Sequence, residues 1–151
     1  MKANPDLIPT SVDWGPVEDD LDAADAYRNF AGRSNADVQS LFAADVLARA
    51  QDLRFMPSAP FRYYMKGFCD FVLSESYGQS RPWEVAEAFF SVAKSWVESD
   101  VAALAYLSQE VEKVLAKLVS KQNDYGADPD IFGNFSDRAA EIRRSLERPV
   151  R

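Results

Sequence analysis

The 151-residue chain has no histidine, a single cysteine and no apolar run of membrane-spanning length. Without histidine the commonest general base is missing. So are Ser-His-Asp and Cys-His nucleophile pairings and the usual nitrogen ligand of zinc. One cysteine allows neither an internal disulfide nor a cysteine-based metal site. Basic side chains are also in deficit, with 17 lysines and arginines against 24 acids and a net charge of −7. Nucleic acids and anionic membranes require the opposite balance, so neither is expected as a partner, whereas a basic protein is. The N-terminal MKANPDLIPT lacks the apolar segment of a secretion signal, so the expected location is cytoplasmic. No Gly-rich phosphate loop or dinucleotide fingerprint is present.

What the chain has in abundance is aromatic surface, 13% of its residues, much of it in FMPSAPFRYYMKGFCDFVL from Phe55 to Leu73. Phe61, Tyr64, Met65, Phe68, Phe71 and Val72 recur at the spacing of one helix face, and so much aromatic surface belongs in a core. Ser58 is the expected cap of this central helix, and Cys69 within it is expected to be a buried, inert thiol. Around it the periodicity predicts a helix from Gly15-Pro16 to Gly32 and an alanine-rich helix over 36–53. Further helices are predicted over 80–99, capped by Ser80, over 99–121, and over 137–147, capped by Ser136. No strand-length alternating run competes with this pattern. The expected fold is all-α, one bundle of five or six helices over residues 16–151. An extended arm over 1–15 precedes it, with Leu7, Ile8, Val12 and Trp14 available to pin it.

Charge is unevenly spread. Residues 1–25 carry seven acids and one lysine, a local net charge of −6, while residues 137–151 are net +2. Glu18, Asp19, Asp20, Asp22 and Asp25 are therefore the candidate contacts for a basic protein partner.

Glu84 and Glu87 stand one helical turn apart. Such an E-x-x-E pair resembles the one with which all-α nucleotide pyrophosphohydrolases hold magnesium, where a second acidic pair on a neighbouring helix completes the site. Here Glu110, Glu112 or Asp124 would have to supply that second pair. Alternatively, Glu84 and Glu87 belong to a solvated face with Ser91, Lys94 and Glu98.

The segment KQNDYGADPDIFGNF, Lys121 to Phe135, is the most distinctive polar stretch. It is similar to a short signature, K-x-x-D-Y with F-x-N-F, in small helical proteins of phages and bacteria. Related K-N-x-D-Y-G sequences occur in a helical domain associated with nucleotide modification. The resemblance implies that Lys121, Asp124, Tyr125 and Asn134 line a polar or nucleotide pocket. The competing expectation is a structural loop, with Asp124, Asp128 and Asn134 bonding to backbone while Tyr125, Ile131, Phe132 and Phe135 anchor it. FMPSAPFRYYMKGF resembles an F-R-Y-Y pattern of an uncharacterised bacterial all-α family, matched at Phe55, Pro57, Phe61, Arg62, Tyr63, Tyr64 and Phe68. That resemblance implies fold alone. Arg62 and Tyr63 flank the apolar face, where they join the candidate polar pocket or form a structural ion pair or hydrogen bond.

The functional expectation is a small acidic, non-enzymatic protein-binding module of bacterial or phage origin, of the immunity, inhibitor or adaptor type, needing no cofactor. Two alternatives stand beside it. One is a magnesium-dependent nucleotide-handling protein using Glu84, Glu87 and the Asp124 loop. The other is a structural homo-oligomer joined through surplus aromatic surface.

Overall fold

The computed structural model describes residues 7–148. Every regular element among them is helical. In chain order they are α1 Ser11–Trp14, a 3₁₀ turn Val17–Asp19, α2 Leu21–Phe30, α3 Asn35–Ala44, α4 Val46–Arg54, α5 Ser58–Ser74, α6 Pro82–Ser99, α7 Val101–Ala105, α8 Ser108–Lys121, α9 Pro129–Phe132 and α10 Phe135–Glu147. The chain is a single all-α domain. No helix among the described residues is long and apolar enough to cross a membrane.

Its centre is α5, which packs against α1, α3, α4, α6, α7 and α8. Phe61, Tyr64, Met65, Phe68, Phe71 and Val72 are all buried, as their spacing requires, and Cys69 is buried with them. Burial pushes the Cys69 thiol far above its ordinary range, which keeps it protonated. The Phe61 ring stacks on Trp96 of α6 at 3.9 Å, and the Trp96 indole N–H donates to the Leu53 carbonyl at 3.0 Å. Phe42 of α3 lies 4.9 Å from Phe68 and 5.5 Å from Phe71. Such ring pairs add about 0.5–1.5 kcal/mol each beyond the area they bury. The same core continues where α4 packs on α6, α2 on α4, and α10 on both α6 and α8.

Gly67 sets how closely α3 approaches α5. A Cβ there would overlap the Asn35 carboxamide. That carboxamide is held in turn by its own donation to the Tyr63 carbonyl at 2.9 Å, while Gln39 donates to the Gly67 carbonyl at 3.0 Å. The missing side chain at Gly67 thus leaves room for two polar side chains of α3 to reach the α5 backbone.

Several boundaries differ from those the sequence predicts, each for a local reason. The first helix begins at Leu21 rather than after Pro16, because Asp20 accepts from the Asp22 and Ala23 amides and caps it there. The expected helix over 36–53 is two helices. Asp45 leaves helical geometry and caps the Ala48 amide at 3.2 Å, while the Val46 amide donates to Ser80 Oγ at 3.1 Å. Ser80 is therefore buried and supports α4, and α6 closes its own first turn by a Glu84 contact to the Arg81 amide at 3.0 Å. Pro57 replaces Ser58 as the residue before α5, and Asn134 replaces Ser136 as the cap of α10. The expected long helix over 99–121 breaks at Tyr106–Leu107 into α7 and α8.

The arm is not extended throughout. Thr10 and Asp13 form a reciprocal capping box around the single turn of α1. Trp14 is 2% exposed and meets Tyr27 edge-on at 5.4 Å, but Leu7, Ile8 and Val12 remain exposed. Only one of the four apolar side chains expected to pin the arm does so.

Candidate interaction surface

The acidic stretch lies at the surface, with Glu18, Asp19, Asp20, Asp22 and Asp25 all exposed. They are not equivalent. The Asp20 carboxylate is spent on two α2 amides, at 2.9 and 3.2 Å. Asp25 pairs with Arg28 at 2.8 Å. Among the described residues Glu18, Asp19 and Asp22 have no hydrogen-bond or ion-pair partner through their side chains. They carry three uncompensated negative charges on the 3₁₀ turn and the first turn of α2.

Apolar side chains share this end. Of eight exposed large hydrophobic residues among those described, Leu7, Ile8, Val12, Leu21 and Tyr27 fall within it. Val12 is 87% exposed and Leu21 is 83% exposed, close to the accessibility of an unfolded chain. Scattered exposed leucines and valines are ordinary, but this concentration in one short segment is not. Sequence reasoning took Val12, near Trp14, as an anchor of the arm. It made no assignment for Leu21, because it placed the helix start at Gly15-Pro16 rather than at the Asp20 cap.

The two glutamates expected to hold magnesium in the alternative reading are engaged elsewhere. Glu84 closes the α6 capping box. Arg138 of α10 grips Glu87 with two N–H groups, at 2.7 and 3.1 Å, and also donates to the Phe132 carbonyl at 3.0 Å. Its guanidinium lies 4.5 Å from the centre of the Phe90 ring. A bidentate pair with a stacked ring fixes α6, α9 and α10 together. Glu112 is likewise held by Arg143, through bonds of 2.8 Å each, which draws its carboxyl below the usual range.

The six residues of the expected polar pocket do not converge. Arg62 and Tyr63 sit near the start of α5. The Arg62 guanidinium lies 5.4 Å from the Tyr106 ring, and the Tyr63 hydroxyl accepts from the Asn35 amide at 3.1 Å. Tyr125 reaches the opposite end of α5. Tyr77 spends its one proton on the Val72 carbonyl at 2.6 Å, so Tyr125 donates to Tyr77 across 2.8 Å. Burial pushes both phenols above their ordinary range. Asp124 meets only Lys121, at 3.8 Å in the open, and Asn134 caps α10 by accepting from Ser136 and Asp137. The structural-loop expectation holds in part. Tyr125 and Phe135 are buried and Phe132 half-buried, and Asp128 and Asn134 bond to backbone. Ile131, however, is 73% exposed and anchors nothing, and among the described residues Asp124 makes no backbone bond. The residue that organises the loop is Gln122. Its amide donates to the Ala127 and Gly133 carbonyls at 3.1 and 2.8 Å and accepts from the Phe135 amide at 2.8 Å.

One cleft of about 240 Å³ opens between α6 and α10 over Phe90, Val97 and Ile142. Lys94 and Glu98 of α6 and Arg138 and Glu141 of α10 line it, so each side carries one charge of each sign and the lining favours no ligand of either sign.

No family model matches the chain, and no curated protein or solved structure matches it either. Function must therefore be argued from the surface itself.

Proposed function

We propose that the chain is a small protein-binding module, of the immunity, inhibitor or adaptor type, that works through the acidic face at its N-terminal end and performs no chemistry of its own. What carries the reading is the set of three exposed carboxylates, Glu18, Asp19 and Asp22, whose side chains make no hydrogen bond or ion pair among the described residues. Uncompensated charge of one sign speeds encounter with a partner of the other sign and makes that rate sensitive to salt. Asp20 and Asp25 belong to the folding of α2 and are removed from the expected contact set.

The test is a tagged pull-down from lysate of the source cells at low and moderate salt, followed by kinetics on the protein recovered. A stoichiometric partner whose association slows when Glu18, Asp19 and Asp22 are reversed to lysine supports the module. An association rate untouched by that reversal removes it.

A further inference from the structure

The same end of the molecule combines free charge with presented apolar surface, and the two are built from different elements. Val12 stands on α1, a single turn too short to be stable alone. That turn is fixed from both sides, by the Thr10–Asp13 box in front and by buried Trp14 behind. Trp14 packs on Tyr27 at 5.4 Å and on Tyr64 at 6.2 Å, which ties α1 to both α2 and the central helix. Among the described residues its buried indole N–H meets no acceptor, so ring packing holds the side chain. Leu21 stands at the first position of α2, about 9 Å along the helix axis from Tyr27. Val12 and Leu21 are thus held within a span on the order of 20 Å. A standard interface covers about 800 Å² of each partner, enough to take in both. Asp19 precedes Leu21 by two residues and Asp22 follows it directly.

An apolar anchor on a rigid support costs little entropy when it is covered, which is what makes such residues dominate binding energy. The flanking carboxylates decide what can cover it. An acidic or neutral apolar surface would leave Glu18, Asp19 and Asp22 facing it unpaired, and a wholly polar basic chain would leave Val12 and Leu21 wet. Resting on the module reading above, we infer that Val12 and Leu21, framed by Glu18, Asp19 and Asp22, form a docking face for a basic amphipathic protein segment, one that sets apolar side chains between lysines or arginines.

Three labelled synthetic peptides of equal length test this against the full chain: one of alternating-face Lys and Leu, one with Ser in place of Leu, and one with Glu in place of Lys. Binding is followed by fluorescence anisotropy, and amide chemical shifts locate it. The Lys/Leu peptide is expected to bind at least about tenfold tighter than either control, as the burial of one large apolar side chain allows. Shifts are expected between Leu7 and Tyr27. Val12→Ser and Leu21→Ser should each weaken that peptide at unchanged melting temperature, because both side chains lie outside the core. Equal affinity for the Lys/Ser peptide would reduce the face to charge alone, and equal affinity for the Glu/Leu peptide would reduce it to apolar surface alone. Either overturns the inference, as do shifts confined to another face. Sedimentation of wild type and Val12→Ser adds an outcome: a dimer that the variant dissolves assigns the face to a second copy and overturns the basic partner. If the peptides fail while the pull-down yields a salt-sensitive partner, the docking face falls and the module stands. If both fail, both fall.

Discussion

Two segments look alike by composition, the loop after α8 from Gln122 to Phe135 and the stretch from Leu7 to Asp25. Both mix acids, proline, glycine and large apolar side chains. Their polar groups end in different places. In the loop, Gln122 makes three bonds, Asp128 caps α9, Asn134 caps α10, and Tyr125 is buried against Tyr77. In the N-terminal stretch, Asp13 and Asp20 are spent on caps, while among the described residues the side chains of Glu18, Asp19 and Asp22 make no hydrogen bond or ion pair and Val12 and Leu21 stay exposed. Polar and apolar richness marks a segment as unusual. Only the endpoints of its bonds tell whether that richness serves the fold or faces outward.

The sharpest way to break the comparison is to cut the closed segment at its organising residue. Gln122→Ala removes three bonds at once and leaves the Phe135 amide, at the start of α10, without its acceptor. At about 1 kcal/mol for each bond, the expected loss is about 2–3 kcal/mol, read as a lower midpoint in urea. A change under about 0.5 kcal/mol would mean that water replaces those bonds freely and that the loop is not closed in the sense argued. Next in size is a test inside the open stretch. Asp20→Ala removes the α2 cap and should cost about 1 kcal/mol. If it costs nothing, Asp20 belongs with the free acids after all.

A buried acid provides a third comparison, between charge that is hidden and charge that is displayed. Asp52 accepts from Asn29 at 2.9 Å and lies 3.1 Å from Arg49, yet burial outweighs both and raises its carboxyl above the ordinary range. A folded-state value above the unfolded one means that the folded protein holds the proton more tightly. The stabilisation this gives is complete below the unfolded value, about 3.9, and is lost as pH rises through the folded value. Asp52→Asn carries no charge to desolvate, so its stability relative to wild type should rise between pH 4 and pH 7. The Arg49 attraction acts only on the ionised Asp52, so it is already part of the net upward shift and only moderates the slope. Urea midpoints for both proteins at the two pH values check the trend, and a flat difference would show that Arg49 and Asn29 fully compensate the buried charge.

The central helix was legible because its aromatic residues repeat at helical spacing and nothing remote was needed to place them. The break at Asp45 was not, because an alanine-rich run with no glycine or proline reads as one helix. Part of what ends it comes from Ser80, thirty-five residues later, whose hydroxyl binds the Phe42 carbonyl and the Val46 amide. An Asp before a β-branched residue was the only local hint. The same limit applies to the surface. The acids of residues 18–25 were visible as charge, but the spending of Asp20 and Asp25 depends on where α2 begins. The exposure of Val12 was not legible either, because Trp14, two residues on, turns inward while Val12 does not.

The smallest expected effect on folding separates the two segments most cleanly. Combining Glu18→Gln, Asp19→Asn and Asp22→Asn breaks no bond, and in a chain of net charge −7 it reduces self-repulsion. Stability should move by no more than about 0.5 kcal/mol, because relief of self-repulsion is offset by loss of the Asp22 charge from the positive end of α2. The association rate with a basic partner should fall, and its dependence on salt should flatten, since the charges that steer the encounter are the ones removed. The pairing of outcomes is what decides. A variant that loses stability has lost contacts within the fold, which would make the N-terminal stretch a closed segment like the loop. A variant that keeps its stability and loses its salt-dependent rate has lost only what it presents to another molecule.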